Sequence, residues 1–320
     1  MAENSGISWT DHTFNPWMGC TKVSPACKHC YAERDMDHRY GKVAWGPKGT
    51  RVLTSEANWK KPLKWNREAA ESGKRARVFC ASLADVFEDW QGPIINNGTP
   101  VTVADDGSLI RDPDCPFGHR EATMADVRKQ LFKVIDATPH LDWLLLTKRP
   151  DNILKMWPKT GCYGRLCDAG VKSRIICPDD SCDVIDGIRM GCRRNVWLGT
   201  SVENQEYADK RIPELLKCRD LSPVLFLSCE PLVGAVDLSV PWDGEQSLPT
   251  LQVDWVIAGG ESGPDSRPSH PDWFRSLRDQ CDEADVPFHF KQLSAYQNKS
   301  FKDFNTFPPE LQVREFPIGY

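Results

Sequence analysis

Three cysteines sit near the start of the chain, at Cys20, Cys27 and Cys30, spaced C-x6-C-x2-C in the stretch GCTKVSPACKHCYAE. Thiolates ligate soft metals and iron–sulfur clusters, and a short loop lets several of them converge on one centre. Three cysteines suit a [4Fe–4S] cluster with one iron left open for a small molecule. They equally suit a zinc knuckle completed by His12, His29 or His38, and spacing alone does not choose between the two. A structural zinc site usually pairs two Cys-x2-Cys knuckles, and that spacing does not recur in the chain.

A second concentration of thiols lies in segment 160–194: Cys162, Cys167, Cys177, Cys182 and Cys192, alternating x4 and x9 spacings. Cys162, Cys167, Cys177 and Cys182 form the expected set for a separate zinc or a second iron–sulfur cluster. The module around them has too poor a core to fold unaided. Buried free thiols are the plain alternative. Cys115 and His119 lie near enough in sequence to contribute a ligand, but nothing fixes that role.

These candidates need a scaffold, and the apolar runs supply one. Runs 77–82, 141–147, 195–200, 224–228, 255–260 and 287–292 are nearly continuous in apolar residues, as strands buried on both faces should be. Amphipathic helices fit between them at Met124–Thr138, Gln205–Cys218 and Pro271–Ala284. Alternating strand and helix predicts a parallel β/α architecture, a full or partial barrel spanning 1–320 as one domain. Segment 91–120, with Asn97-Gly98 and Asp106-Gly107, reads as a hairpin-and-loop insertion. In such an architecture the loops at the carboxyl ends of the strands converge on one mouth. Ser82, Asp85, Glu88, Thr147, Lys148, Ser201, Glu203, Glu230, Glu261 and Ser262 all follow strands and are expected there. Each taken alone reads equally well as a cap or turn residue. Trp9, Phe14, Trp17 and Met18 are expected chiefly as core residues.

Composition narrows the partners. The 320-residue chain carries a net charge of −5, so it is not a globally basic nucleic-acid binder. Segment 39–77 is locally basic, with Trp45, Trp59 and Trp65 interleaved. Cations with flat rings suit a nucleic-acid face; a solvated helix with its tryptophans turned inward is the plain alternative. No run approaches 18 apolar residues, so no membrane span is expected. The N-terminus lacks a signal-peptide pattern, and thirteen unevenly spaced cysteines read as metal ligands and buried thiols, so a reducing cytoplasm is expected.

Together these stretches resemble a known family. Cys27-Lys28-His29-Cys30-Tyr31-Ala32 resembles the cluster motif of the spore photoproduct lyase branch of radical SAM enzymes. Segments 82–88, 145–148 and 196–201 are similar to the strand ends of that branch. The pieces LLLTKRP, VWLGTSVEN and WVIAGGESGP resemble more closely the phage-associated three-cysteine proteins that neighbour the three-Cys-motif partner proteins. The first spacing, x6, departs from the x3 usual in radical SAM enzymes. The resemblance implies a [4Fe–4S] cluster on Cys20, Cys27 and Cys30 that binds S-adenosylmethionine and generates a 5′-deoxyadenosyl radical. It implies that Lys148 pairs with the carboxylate of S-adenosylmethionine, and Asp85 or Glu88 with its ammonium or ribose. Ser82 and Ser201 would then give neutral hydrogen bonds. The expected activity is repair or modification of nucleic acid, reached through 39–77. The alternatives are a radical SAM enzyme acting on a peptide or small molecule, and a non-enzymatic zinc- or cluster-stabilised binding protein. A three-Cys-motif partner protein is the expected protein partner.

Overall fold

The computed structural model describes residues 5–112, 114, 115, 117, 118, 120–158, 184, 185, 188, 189, 192–238, 251–296 and 301–318. Seven strands form one parallel sheet: β1 (His12–Thr13), β2 (Ala76–Cys80), β3 (Leu141–Thr147), β4 (Val196–Ser201), β5 (Val224–Cys229), β6 (Trp255–Gly259) and β7 (Phe288–Gln292). They lie side by side in chain order, and the end strands β1 and β7 do not pair with each other. The sheet curls into a half-barrel, not a closed one. Helices cover its convex face: α1 (Glu56–Ser72), α2 (Met124–Asp136), α3 (Gln205–Leu216) and α4 (Pro271–Glu283). The last three start where the periodicity predicts and end one or two residues early.

The two faces of the sheet separate by the two-residue period of a strand. Val78, Trp143, Leu145, Leu198, Leu225, Leu227, Val256 and Phe290 pack outward with the helices in the main core. The alternate residues Phe79, Leu144, Trp197, Phe226, Trp255 and Ile257 pack inward with Trp9 as a second core. This inner layer fills the amino-terminal half of the concave face. Gly199 makes it possible: a Cβ there would meet the Phe226 ring 2.3 Å away. Further along the same inward positions come Lys148, Ser201, Ser228 and Glu230, so the concave face turns polar towards the strands' carboxyl ends.

Local chemistry fixes the helix ends. Ser55 caps α1 through Asn58 N, and Thr123 and Asp126 form a reciprocal capping box on α2. Asn204 caps α3 through Tyr207 N. On α1 the tryptophans face inward: Trp59 and Trp65 are 7% and 1% exposed. The outer face carries the pairs Glu56–Lys60 and Glu68–Lys64, at 2.9 and 3.5 Å. The plain alternative for segment 39–77 therefore holds on this helix, since neither ring is placed to stack on a base. Arg51, from the same basic run, is fully buried. Trp9, Phe14 and Trp17 are core residues, as expected.

In segment 91–120, Asn97-Gly98 turns the hairpin between Ile94–Asn96 and Thr99–Pro100. Thr102–Val103 pairs with both Leu109–Ile110 and Arg120–Glu121. The proposed second metal set, Cys162, Cys167, Cys177 and Cys182, lies outside the described residues. Cys192 is described and exposed. No helix among the described residues is long and apolar enough to cross a membrane.

Candidate functional site

A cavity of about 460 Å³ opens at the carboxyl ends of the strands, and Cys20, Cys27 and Cys30 all line it. The chain enters this loop through Gly19, whose φ of +109° and a would-be Cβ only 2.5 Å from Thr50 O leave room for no side chain. Gly19 N donates to Leu83 O just past β2, at 3.0 Å. After Cys30 the chain makes one α-helical turn, Tyr31–Glu33, and then a π-helical one, Arg34–Arg39.

Strand ends strap the cysteine loop down at several points. Beyond β2, Ser82 O accepts from Tyr31 Oη at 2.9 Å. Beyond β3, Arg149 Nη2 donates to Thr21 O at 2.8 Å, and its Nη1 lies 3.7 Å from Cys20 Sγ. Beyond β4, Glu203 Oε1 accepts from Ala26 N at 3.4 Å. Beyond β6, Glu261 sits 3.2 Å from His29 Nδ1, while Arg267 grips Glu261 and donates to Pro25 O at 3.0 Å. Burial raises the Glu261 carboxyl, but the hydrogen bonds from Arg267 and His29 outweigh it and hold it below the usual range. Burial, with the neighbouring Glu88 and Asp85, pushes the Cys20 thiol up to about 12, and burial raises Cys30 as well.

The expected cofactor-binding residues divide into two groups. Ser82, Asp85, Lys148 and Ser201 line the cavity; Glu88 does not. Lys148 Nζ donates to Ser201 Oγ at 3.1 Å and has no carboxylate partner among the described residues. Asp85 is already committed: it accepts from Thr147 Oγ1 at 2.7 Å and Lys148 N at 3.1 Å, and pairs with Arg149 at 2.8 Å. Glu88 is bidentate to Arg51, both bonds 2.7 Å, and 3% exposed. Glu88 thus braces the site from beneath, whereas Asp85 stands on the cavity wall with three partners already in place. Glu203, also expected at the mouth, is fully buried against Arg211 at 2.8 Å and does not line the cavity.

Several residues that matter here went unnoticed in the sequence. Asn15 Nδ2 donates to Ser82 Oγ at 3.0 Å, and its Oδ1 accepts from Leu83 N at 2.7 Å, which fixes the turn after β2. Arg51 and Arg149 form the cationic half of the bracing network. Arg149 had a signal, its place beside Lys148 at a strand end. Arg51 was hidden in a basic run that reads as surface.

The donor chemistry fits a soft metal group, with three thiols on the wall of one cavity. Among the described residues, however, no three Cys, His, Asp or Glu side chains stand close enough together to hold a metal ion. Closing the sulfurs on one centre therefore requires side-chain rotation within the loop, together with loss of the thiol protons. Of the three histidines considered as a fourth zinc ligand, only His29 lines the cavity. His12 instead stacks on Trp65, with ring centroids 4.3 Å apart, and His38 is exposed.

No curated protein and no solved structure matches the chain. One family model, described as "Protein of unknown function (DUF5131)", matches residues 4–93 and 119–312. The match covers the cysteine loop and all seven strands of the sheet, and the chain belongs to this family.

Proposed function

We propose that this chain is a radical SAM-type enzyme whose Cys20, Cys27 and Cys30 hold a [4Fe–4S] cluster over the mouth of the half-barrel. The observation that carries the reading is the convergence of the three cysteines with Lys148 and Ser201 on one cavity at the strands' carboxyl ends. When bound, the cluster and S-adenosylmethionine supply a 5′-deoxyadenosyl radical. The chain's own part is positional. Lys148, held by Ser201, offers an ammonium to the carboxylate of S-adenosylmethionine. Arg149 and Arg51, neutralised by Asp85 and Glu88, keep the Cys20 end of the loop in place. The inner aromatic layer keeps water from the lower side of the site. The sequence resemblance to the spore photoproduct lyase branch and to the phage-associated three-cysteine proteins points the same way. It favours modification or repair of nucleic acid as the reaction class. With Trp59 and Trp65 turned inward, support for a nucleic-acid face along 39–77 rests on the exposed cations and on Trp45, which is half-buried and lines the cavity.

Anaerobic purification and reconstitution test this. A brown protein containing iron and sulfide, which makes 5′-deoxyadenosine from S-adenosylmethionine, is expected. Each single Cys→Ala variant at positions 20, 27 and 30 should lose the visible absorbance. One specific observation favours a second reading, a zinc-stabilised binding protein: His29 lines the same cavity as the three cysteines. A colourless protein that keeps only zinc, and loses it in His29→Ala, would establish that reading and end the first.

A further inference from the structure

The cavity holds cations that the cysteine loop does not use. β7 presents His289 and Lys291 on the concave side, and the chain's last segment returns beside it. Phe290 N donates to Val313 O at 2.9 Å, and His289 bridges to Arg314. Leu293 N donates to Phe301 O at 2.9 Å, which sets Lys302 just past the carboxyl end of β7. Lys291, Lys302 and Arg314 all line the cavity.

Lys291 is neutralised by Glu230 at 2.9 Å. The other two have no carboxylate partner among the described residues. Arg314 lies over the Phe304 ring, 4.5 Å from its centroid, and its buried Nε has no hydrogen-bond partner. A buried guanidinium donor left unmatched is costly, and the described residues offer it no acceptor. Burial accordingly lowers the Arg314 pKa. The acids that line the cavity are committed to other cations: Glu230 to Lys291, Glu261 to Arg267 at 2.6 Å and Asp85 to Arg149 at 2.8 Å.

We propose that Arg314 and Lys302 form a subsite for a phosphate group of the substrate, on the β7 side of the cavity and separate from Lys148. Two uncompensated cations match the charge of about −1.5 to −2 on a phosphate monoester, whereas one carboxylate would neutralise only one of them. The planar guanidinium fork suits two phosphate oxygens, and the ammonium adds a point charge. This names a substrate class for the proposed enzyme and rests on that reading for its catalytic meaning, but the binding itself needs no cluster.

The test is calorimetric titration of the full chain, as purified, with inorganic phosphate and separately with acetate, at low ionic strength. Phosphate should bind, and acetate should bind at least tenfold more weakly. Arg314→Ala should weaken phosphate at least tenfold. Lys302→Ala, at an exposed position that leaves the fold undisturbed, should weaken it severalfold, while Lys148→Ala leaves it unchanged. Wild-type phosphate affinity in both Arg314→Ala and Lys302→Ala overturns the subsite. So does acetate binding as tightly as phosphate, or a loss confined to Lys148→Ala. Because the titration uses protein without a reconstituted cluster, failure to produce 5′-deoxyadenosine would refute the enzyme reading without touching this result.

Discussion

Arg149 holds Asp85 with one edge of its guanidinium, Nη1 to Oδ2 at 2.8 Å, and the same nitrogen lies 3.7 Å from Cys20 Sγ. One cation thus joins the strand end to the first cysteine of the loop. Arg149→Ala leaves Asp85 buried without its charge partner, and breaking such a pair costs about 3–5 kcal/mol. Urea denaturation of the unreconstituted protein should show a loss of that order. A change below about 1 kcal/mol, the worth of an exposed pair, would show that the network is solvated.

Glu88 gives a contrast with the residues that line the cavity. It is sealed against Arg51 beneath the site, so Glu88→Gln should lower the denaturation midpoint while S-adenosylmethionine affinity stays at the wild-type level. A stable variant with weakened binding would return Glu88 to the ligand-contacting role expected from the sequence.

For Lys148 the expectation is reversed. Among the described residues its ammonium hydrogen-bonds Ser201 Oγ alone, so Lys148→Ala should keep the fold and the reconstituted cluster. One lost charge-assisted contact to S-adenosylmethionine is worth about 1.5–3 kcal/mol, roughly ten- to a hundredfold in affinity. Anaerobic titration of wild type and variant decides, and equal affinities would place Lys148 outside the site.

His289 makes a prediction about acid. It is fully buried, and burial, then Arg314 and Arg77, pull its pKa from 6.5 down to about 3. The unfolded chain takes up a proton near the ordinary value, whereas the folded chain resists it until the lower one. Stability from the neutral imidazole is therefore complete above the ordinary value and lost as pH falls through that window, at about 1.4 kcal/mol per pH unit. His289→Gln removes the titration and can keep the 2.8 Å contact to Ser8 Oγ. Its stability should fall less steeply over the same range. Parallel pH–stability curves for the two proteins would show that His289 is protonated in the folded chain.

What the sequence disclosed, and what it did not, follows from the range of the forces involved. The run Leu144-Leu145-Leu146-Thr147 announces a strand because burial on both faces writes itself into consecutive residues. The Asn97-Gly98 turn is equally local. Whether seven strands close into a barrel depends on how far the sheet curls, and no single strand encodes that. The ion pairs of Asp85 and Glu88 were illegible for a related reason. Their partners, Arg149 and Arg51, lie 64 and 37 positions away in sequence, and no periodicity links an acid to a base across such distances. A strand-end carboxylate that braces and one that binds look alike until the fold supplies the cation.

The straps on the cysteine loop have a mechanical consequence. Ser82, Arg149, Glu203 and Glu261 tie it to the ends of four different strands of a sheet whose outer edges are not joined. An open sheet can tighten or relax its arc, and every such change moves the four tether points relative to one another. The spacing of those strand ends therefore sets the span of the loop. The cysteine side chains can still turn within a loop so tethered, while a change of arc between β1 and β7 would reach that loop without touching Cys20, Cys27 or Cys30.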